Sequence, residues 1–290
     1  MMEISAKDVM TLRARTNAGM MESKKALQEA NGDMDKACEL LRKWGAGRAD
    51  SKVANEMKEG LIGAKIAPDG RTGVLLRLGC QTDFVARNDG FQKLLADLVE
   101  IAFLHEVTSP ADLNRLFFSD ASGRTVEQVI KEMVGSSIKE NMAVTGLARF
   151  TTSNGQIGKY VHHNAKVGAL VRIDGSADDA VRVALGEIAM HITAGMPFVP
   201  VAVSRDKVDP ALLEKEKAIA AEGITGKPPA IVEKIVAGKL EKFFSDQVLL
   251  DQPFVKDESR RIRDLLADAG KASSATLRVV EFARFKVGEV

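Results

Sequence analysis

The sequence has 290 residues, 45% hydrophobic and 28% charged, which is typical of a globular soluble protein of about two domains. Its 41 basic and 40 acidic residues leave a formal charge of +1. A dedicated nucleic-acid binder is normally clearly basic, so we expect no direct contact with nucleic acid. The two distant cysteines, Cys38 and Cys80, fit a reducing compartment. We find no apolar targeting segment and no run near the ~20 residues that span a bilayer, so we expect a cytoplasmic protein without a membrane partner.

Three short helices are predicted in residues 1–53 from apolar side chains at helical spacing. Ser5 resembles the start of a capping box for the first helix, and Asp33 is a natural N-cap for the third. The glycine-rich, polar stretch at residues 45–52 is interpreted as a linker to the next domain. The three helices form a very small bundle that is marginal on its own.

After this block the apolar pattern changes to the period of strands. Two strands flank a turn at residues 68–70, and helices and a third strand complete a unit over residues 54–150. A second hairpin, a helix and a final strand repeat this order over residues 151–195 and 245–290. We therefore predict an α+β fold whose core is two related subdomains, each a small antiparallel sheet covered by helices.

Residues 196–244 interrupt the second subdomain and are predicted to form an antiparallel pair of helices. The helices begin at Pro210 and Pro229, where the missing N–H costs nothing, and Gly223 and Gly226 lie in the turn between them. The first helix would be about 20 Å long, so we expect the hairpin to project from the core. It is interpreted either as a stabilising appendage or as an interaction arm, and a homodimer through the arm or an exposed sheet is possible.

Motifs for catalysis, nucleotide binding and metal binding are not found. The Gly-Lys pairs that end at Lys227 and Lys271 are not followed by the Ser or Thr of a P-loop. His162 and His163 are adjacent on a predicted strand and are expected to point to opposite faces, so they would not chelate one ion together. The residue four positions after His191 is not of a ligand type, and His191 is interpreted as a satisfied structural or surface histidine. We predict a protein that is not an enzyme and has no cofactor and no metal.

The segment QTDFVARN at residues 81–88 lies where a predicted strand ends and a predicted helix begins. Asp83 and Asn88 are candidate helix caps, and Phe84 is a candidate core residue. A strand-to-helix loop, however, lies at the surface, and here it places a large apolar side chain beside a carboxylate. Such a pair suits a protein that must insert into the packed interior of a partner.

Five segments resemble the elongation factor Ts family of bacteria. The long segments RARTNAGMMESKKAL, at residues 13–27, and CQTDFVARN, at residues 80–88, are similar to the two signature segments of the family. Shorter matches follow at residues 188–192, 232–236 and 252–255. The resemblance implies a guanine-nucleotide exchange factor that binds elongation factor Tu in its GDP-bound and nucleotide-free forms and promotes GDP release.

The resemblance also implies an identity for each block of the chain. Residues 1–53 correspond to a three-helix, ubiquitin-associated-like (UBA-like) domain, and residues 196–244 correspond to a coiled-coil insertion. The core subdomains are residues 54–150 and residues 151–195 with 245–290. Some relatives continue into a C-terminal helix that contacts the G domain of the partner. This sequence ends just after the last predicted strand, so either that contact is missing or another element covers it.

One implied contact with the partner is a loop formed by Thr82, Asp83, Phe84 and Val85. In relatives the Asp and Phe of this loop enter the GTPase near its magnesium and phosphate site. Burying one Phe contributes about 1.5–3 kcal/mol, and ~1.4 kcal/mol corresponds to a tenfold change. Burial of Phe84 alone would therefore weaken nucleotide binding by about one to two powers of ten. An exchange factor needs a larger effect, so we expect several contacts.

Further contacts are implied at two other places. Met20 and Met21 correspond to a methionine pair that contacts the G domain, and a histidine of the second hairpin contacts the third domain of the partner. We prefer His163 for this role, with His162 as the alternative. Residues 136–143 keep the family pattern only in part, so we name no contact there. The two rival interpretations are a recruitment module that binds through the three-helix block and an enzyme with a small-molecule pocket.

Overall fold

The computed structural model describes residues 4–16, 18–52, 54–118, 123–222, 224 and 228–289. It contains helices together with small sheets, which confirms the α+β fold class. The chain divides into two units, of which unit 1 comprises Met1–Gly63, Leu76–Leu147 and Lys286–Val290, and unit 2 comprises Ala64–Leu75 and Ala148–Phe285. Gly223, Gly226 and Lys227, which belong to the predicted turn of the helical pair, lie outside the described residues.

Unit 1 begins with three helices, as predicted: α1 (Ala6–Thr16), α2 (Met20–Glu29) and α3 (Met34–Lys52). The hydroxyl of Ser5 accepts a hydrogen bond from the Asp8 amide at 3.1 Å, and the Asp33 carboxylate accepts one from the Lys36 amide at 3.0 Å. Both predicted caps are therefore confirmed. The buried core of this block includes Leu12, Leu27, Ala37 and Leu41.

The predicted linker at residues 45–52 is wrong, because α3 continues through this stretch to Lys52. Gly45 is buried against a π-helical turn, Val134–Ile138, of the same unit. A Cβ atom at Gly135 of that turn would collide with the carbonyl oxygen of Gly45. The glycines therefore allow two backbones to pack closely rather than making the chain flexible.

The first sheet has the strand order β1 (Glu59–Ile66), β2 (Thr72–Cys80), β3 (Met142–Thr151). The predicted hairpin turn is present, and Gly70 has the φ of +71° that a residue without a Cβ adopts easily. Helices α4 (Asp83–Ala86), α5 (Asp89–Leu104), α6 (Pro110–Arg115) and α7 (Val126–Met133) separate β2 from β3. Gly63 lies directly against Leu95 and Val99, so α5 covers this part of the sheet.

Unit 2 contains the second sheet, in the order β4 (Gly155–Val161), β5 (Val167–Asp174), β8 (Arg278–Lys286). Strands β4 and β5 pair antiparallel, with Gly158 opposite Val171. Helix α8 (Asp179–Ala194) packs on them, and the absent side chain of Gly158 leaves room for Leu185. A short hairpin, β6 (Pro253–Phe254) with β7 (Asp257–Arg261), and helix α11 (Ile262–Ala272) complete the unit.

The predicted helical pair is formed by α9 (Pro210–Ala221) and α10 (Pro229–Gln247), and each helix begins at the proline that the sequence indicates. The two helices pack on each other, and the Lys239 ammonium donates to the Ala220 carbonyl at 2.9 Å. A small apolar cluster closes the base of the pair, formed by Ala202, Val208, Phe243 and Val248. Among the described residues, every helix is too short or too polar to cross a bilayer.

Candidate functional site

The segment that follows β2 folds as a single helical turn, α4, whose first backbone groups are held by Thr82. The Thr82 hydroxyl accepts a hydrogen bond from the Val85 amide at 3.5 Å, and the Thr82 carbonyl accepts one from the Ala86 amide at 3.3 Å. The buried thiol of Cys80 also donates to that carbonyl, at 3.2 Å. Thr82 therefore caps this turn, and three contacts fix its position. We call residues 82–86 the contact turn.

The next helix, α5, begins immediately afterwards and fixes the other end of the contact turn. The Asn88 side chain accepts hydrogen bonds from the amides of Gly90 and Phe91 at 2.9 and 3.3 Å. Of the two candidate caps in the sequence, Asn88 is confirmed, whereas Asp83 is the first residue of α4 and caps nothing. The Asp83 carboxylate instead lies 2.9 Å from the Arg87 guanidinium in a solvent-exposed ion pair.

Neighbouring side chains of the contact turn have opposite exposure. Phe84 is 79% exposed, so it is not a core residue, whereas Val85 is only 6% exposed and Ala86 is buried. Val85, which we predict as a contact from the resemblance, therefore packs inside the protein in this structure and supports the turn. An exposed aromatic ring on a well-anchored turn is a feature of binding surfaces.

A residue that the sequence did not indicate also contacts the turn. The Thr82 hydroxyl donates to the Glu140 carboxylate at 2.9 Å, and the Asn141 amide donates to the Gln81 side chain at 2.6 Å. Residues 140 and 141 precede β3, and residues 81 and 82 follow its neighbour β2 in the sheet. Only the register of these two strands brings the pairs together, so the linear sequence carries no local signal for Glu140.

Met20 and Met21 occupy the first turn of α2, in the same unit as the contact turn. Their side chains are 47% and 74% exposed. The next residue, Glu22, has its carboxylate 3.5 Å from the ammonium of Lys139. Lys139 and its neighbour Glu140 thus contact both elements of unit 1 that carry predicted partner contacts.

The two adjacent histidines of unit 2 lie beyond the end of their strand, which corrects the prediction that they point to opposite faces. Strand β4 ends at Val161, and the rings of His162 and His163 follow with centroids 4.2 Å apart. The His162 ring nitrogen Nδ1 is 3.4 Å from the Tyr160 hydroxyl, whereas His163 is exposed. Exposure is the property that a contact residue needs, and it agrees with our preference for His163.

His191 is a buried residue of α8 with both ring nitrogens hydrogen-bonded. Its Nδ1 accepts from the Val255 amide at 3.2 Å, so the proton is on Nε2, which lies 3.0 Å from the Gln252 side-chain oxygen. Burial lowers the pKa of His191 below its ordinary value, which favours the neutral ring. These contacts confirm the interpretation of His191 as a satisfied structural histidine.

Unit 1 also contains a cleft of about 1180 Å³ with charged walls. Several of these charges pair across or along the walls, as Lys93 does with Asp97 at 2.8 Å and Arg42 with Glu132 at 3.6 Å. A site for a small charged ligand would need such groups to converge on the ligand instead. Within the described part of the chain, no cluster of three or more His, Cys, Asp or Glu side chains could hold a metal ion.

Comparison with known proteins gives one consistent result. The model of the family described as Elongation factor TS matches residues 81–289. A protein called Elongation factor Ts from Chloroherpeton thalassium is 40% identical over 292 residues, covering 100% of both chains. Proteins of the same name from Prosthecochloris aestuarii and Alkalilimnicola ehrlichii are 39% and 40% identical over 99% of this chain, and cover 100% and 93% of the relatives.

These matches place the chain among the elongation factors of protein biosynthesis. Within that class, the chain belongs to the elongation factor Ts family. The resemblance found in the sequence is therefore confirmed at the level of the family, and it extends over the whole chain.

Proposed function

We propose that this protein is the guanine-nucleotide exchange factor of elongation factor Tu. It binds the GDP-bound form, promotes the release of GDP and retains the nucleotide-free form. The contact turn inserts near the Mg²⁺ and phosphate site of the partner, with Asp83 and Phe84 at its tip. Met20 and Met21 contact the G domain, and His163 contacts the third domain. The mechanism uses binding energy alone and makes or breaks no covalent bond.

The observation that carries this proposal is the exposure of Phe84 on a turn that is anchored at both ends. Thr82 and Asn88 cap the two successive helices, and the buried Val85 fixes the turn from inside. Because the backbone that carries the ring is already ordered, little backbone freedom is lost on binding, and more of the energy of burying the ring remains for displacing the ligand of the partner. Asp83 adds a negative charge next to the ring, which is unfavourable for bound phosphates nearby.

Exchange requires that the factor bind the nucleotide-free partner more tightly than the GDP-bound partner. The two effects are linked. If this protein lowers the affinity of the partner for GDP by a given factor, then GDP lowers the affinity of the partner for this protein by the same factor. One buried Phe contributes about 1.5–3 kcal/mol, or about one to two decades. A coupling larger than this needs several contacts, and the exposed Met20, Met21 and His163 supply candidates on separate elements.

The test is the release of fluorescent GDP from elongation factor Tu after rapid mixing with this protein and an excess of unlabelled GDP. We expect this protein to accelerate the release. A substoichiometric amount should release the labelled GDP from all of the elongation factor Tu, because this protein is regenerated in each cycle. Failure to accelerate release at any ratio of the two proteins would show that the proposed function is wrong.

A further inference from the structure

Residues 139–141 connect the π-helical turn Val134–Ile138 to strand β3 and hold two separate elements of unit 1. Lys139, which has a left-handed φ of +62°, reaches Glu22 of α2 with its ammonium at 3.5 Å. The next side chain, Glu140, is half-buried and accepts the hydrogen bond of the Thr82 hydroxyl at 2.9 Å. Two consecutive residues thus contact the helix of the methionine pair and the contact turn.

The Glu140 contact determines how Thr82 can act as a cap. A hydroxyl has one proton and two acceptor lone pairs. When its proton points to the Glu140 carboxylate, a lone pair is free to accept the Val85 amide, which lies 3.5 Å away. A hydrogen bond to a charged acceptor is also stronger than one between neutral groups. Glu140 therefore orients the hydroxyl that begins helix α4.

Helix α4 depends on such external support because it has only 4 residues. A single helical turn has the full entropic cost of nucleation and gains almost none of the hydrogen bonds of propagation. Its position must therefore come from Thr82, from Asn88 and from the buried Val85. Of these anchors, Thr82 directly precedes Asp83, and its hydroxyl proton is donated to the Glu140 carboxylate.

We propose that Glu140 is a positioning residue for nucleotide exchange. Its carboxylate fixes the rotamer of Thr82 and thereby the direction in which Phe84 projects, while Lys139 joins the same segment to the helix of Met20 and Met21. Glu140 acts through Thr82 rather than by entering the partner. The effect on GDP release rests on the proposed function, whereas the effect on the contact turn is a property of the free protein.

The first test measures amide hydrogen exchange of residues 82–88 in the free, full-length protein. We expect Glu140→Ala to speed exchange in this peptide at least about fivefold, because the turn opens more often when its cap is not oriented. Glu140→Gln keeps an acceptor oxygen and should stay near the wild-type rate. The matched control is Glu127→Ala, which removes an exposed carboxylate from α7 of the same unit. Unchanged protection in Glu140→Ala overturns the proposal, whatever the protein does to elongation factor Tu.

The second test is a double-mutant cycle on the saturating rate of GDP release from elongation factor Tu. We expect Glu140→Ala and Thr82→Val each to lower this rate about tenfold, and the double variant to be no slower than the slower single variant. Glu140→Gln should restore most of the rate, and Glu127→Ala should retain it. All variants should have the thermal midpoint of the wild type within a few degrees.

The outcomes separate this inference from the proposed function. Losses that multiply in the double variant, or a saturating rate for Glu140→Ala equal to that of the wild type, contradict a role through Thr82. A lower thermal midpoint with a normal saturating rate shows a purely structural residue and also contradicts it. Wild-type protein that does not accelerate GDP release refutes the proposed function, and the hydrogen-exchange result then decides the role of Glu140 in the turn.

Discussion

The contact turn of unit 1 and the polar cluster around His191 in unit 2 differ in which side chains they expose and which they bury. The turn exposes the side chains of Phe84 and Asp83. The cluster buries His191 and Gln252, and their polar side-chain atoms are hydrogen-bonded. Gln252 donates to the carbonyls of Phe198 and Asp246, so it joins α8, the following loop and the end of α10. The contact turn thus leaves an apolar ring exposed to solvent. In the cluster, the side-chain polar atoms of His191 and Gln252 all have hydrogen-bond partners.

This contrast separates a binding role from a structural role on physical grounds. An exposed aromatic ring contributes little to the stability of the free protein, because its burial energy becomes available only in a complex. A buried polar group contributes to stability only while its partners are present, because its desolvation is not recovered otherwise. Substitution should therefore affect activity at the turn and stability at the cluster.

The largest effect on stability is expected from breaking the cluster with Gln252→Leu. The variant leaves the Nε2 proton of His191 and two backbone carbonyls without their partner, and a buried unsatisfied group costs about 1–3 kcal/mol. We expect the free energy of unfolding to fall by about 2–4 kcal/mol in chemical denaturation. Gln28→Leu, at an exposed position of α2, is the control and should change it by less than about 0.5 kcal/mol. A Gln252→Leu variant as stable as the wild type would show that the cluster around His191 does not stabilise the fold.

An intermediate effect is expected from pH, through the lowered pKa of His191. Between this pKa and the ordinary value near 6.5, the unfolded chain binds a proton that the folded protein does not. This contribution to stability is therefore complete above about pH 6.5 and decreases as the pH falls below it, by at most ~1.4 kcal/mol per pH unit. Denaturation of wild type and His191→Gln at several pH values between 7.5 and 5.5 measures it. The wild type should lose more stability on acidification than the variant, and parallel curves would contradict the assignment.

The smallest effect is expected from Arg87→Ala, which removes the ion pair with Asp83 at the contact turn. Both side chains are solvent-exposed, and exposed ion pairs of this kind contribute only about 0–1 kcal/mol. We expect the free energy of unfolding to change by less than about 0.5 kcal/mol at physiological salt. Arg182→Ala, which breaks an exposed pair with Asp179, should behave in the same way. A loss above about 1.5 kcal/mol would mean that the turn depends on Arg87 and is less firmly anchored by Thr82 and Asn88 than we infer.

Much of the fold could be predicted because local patterns agree with it. Helix starts at Pro210 and Pro229 and caps at Ser5 and Asp33 follow from chemistry within a few residues. The error at residues 45–52 has a non-local cause, because Gly45 of α3 packs against Gly135, about ninety positions away. Strand β7 was missed for another reason: its sequence, DESRR, has none of the alternating apolar residues that indicate a strand.

The candidate site shows the same limit. The contact turn was found because its residues are contiguous and a strand-to-helix loop lies at the surface. The inward position of Val85 depends on the backbone of a single helical turn, which the sequence does not define. Glu140 and Gln252 were missed as partners because they lie 58 and 61 positions from Thr82 and His191. Contacts at such separations are set by tertiary packing, so they become visible only in the structure.

The most direct test of the central claim compares Phe84→Ala with Phe117→Ala in GDP release from elongation factor Tu. Both rings belong to unit 1, and Phe117 is 70% exposed, so the control removes a similar exposed ring elsewhere. We predict that Phe84→Ala lowers the saturating release rate about 10- to 100-fold with unchanged stability, while Phe117→Ala stays within about twofold of the wild type. A Phe84→Ala protein that releases GDP as fast as the wild type would contradict the account.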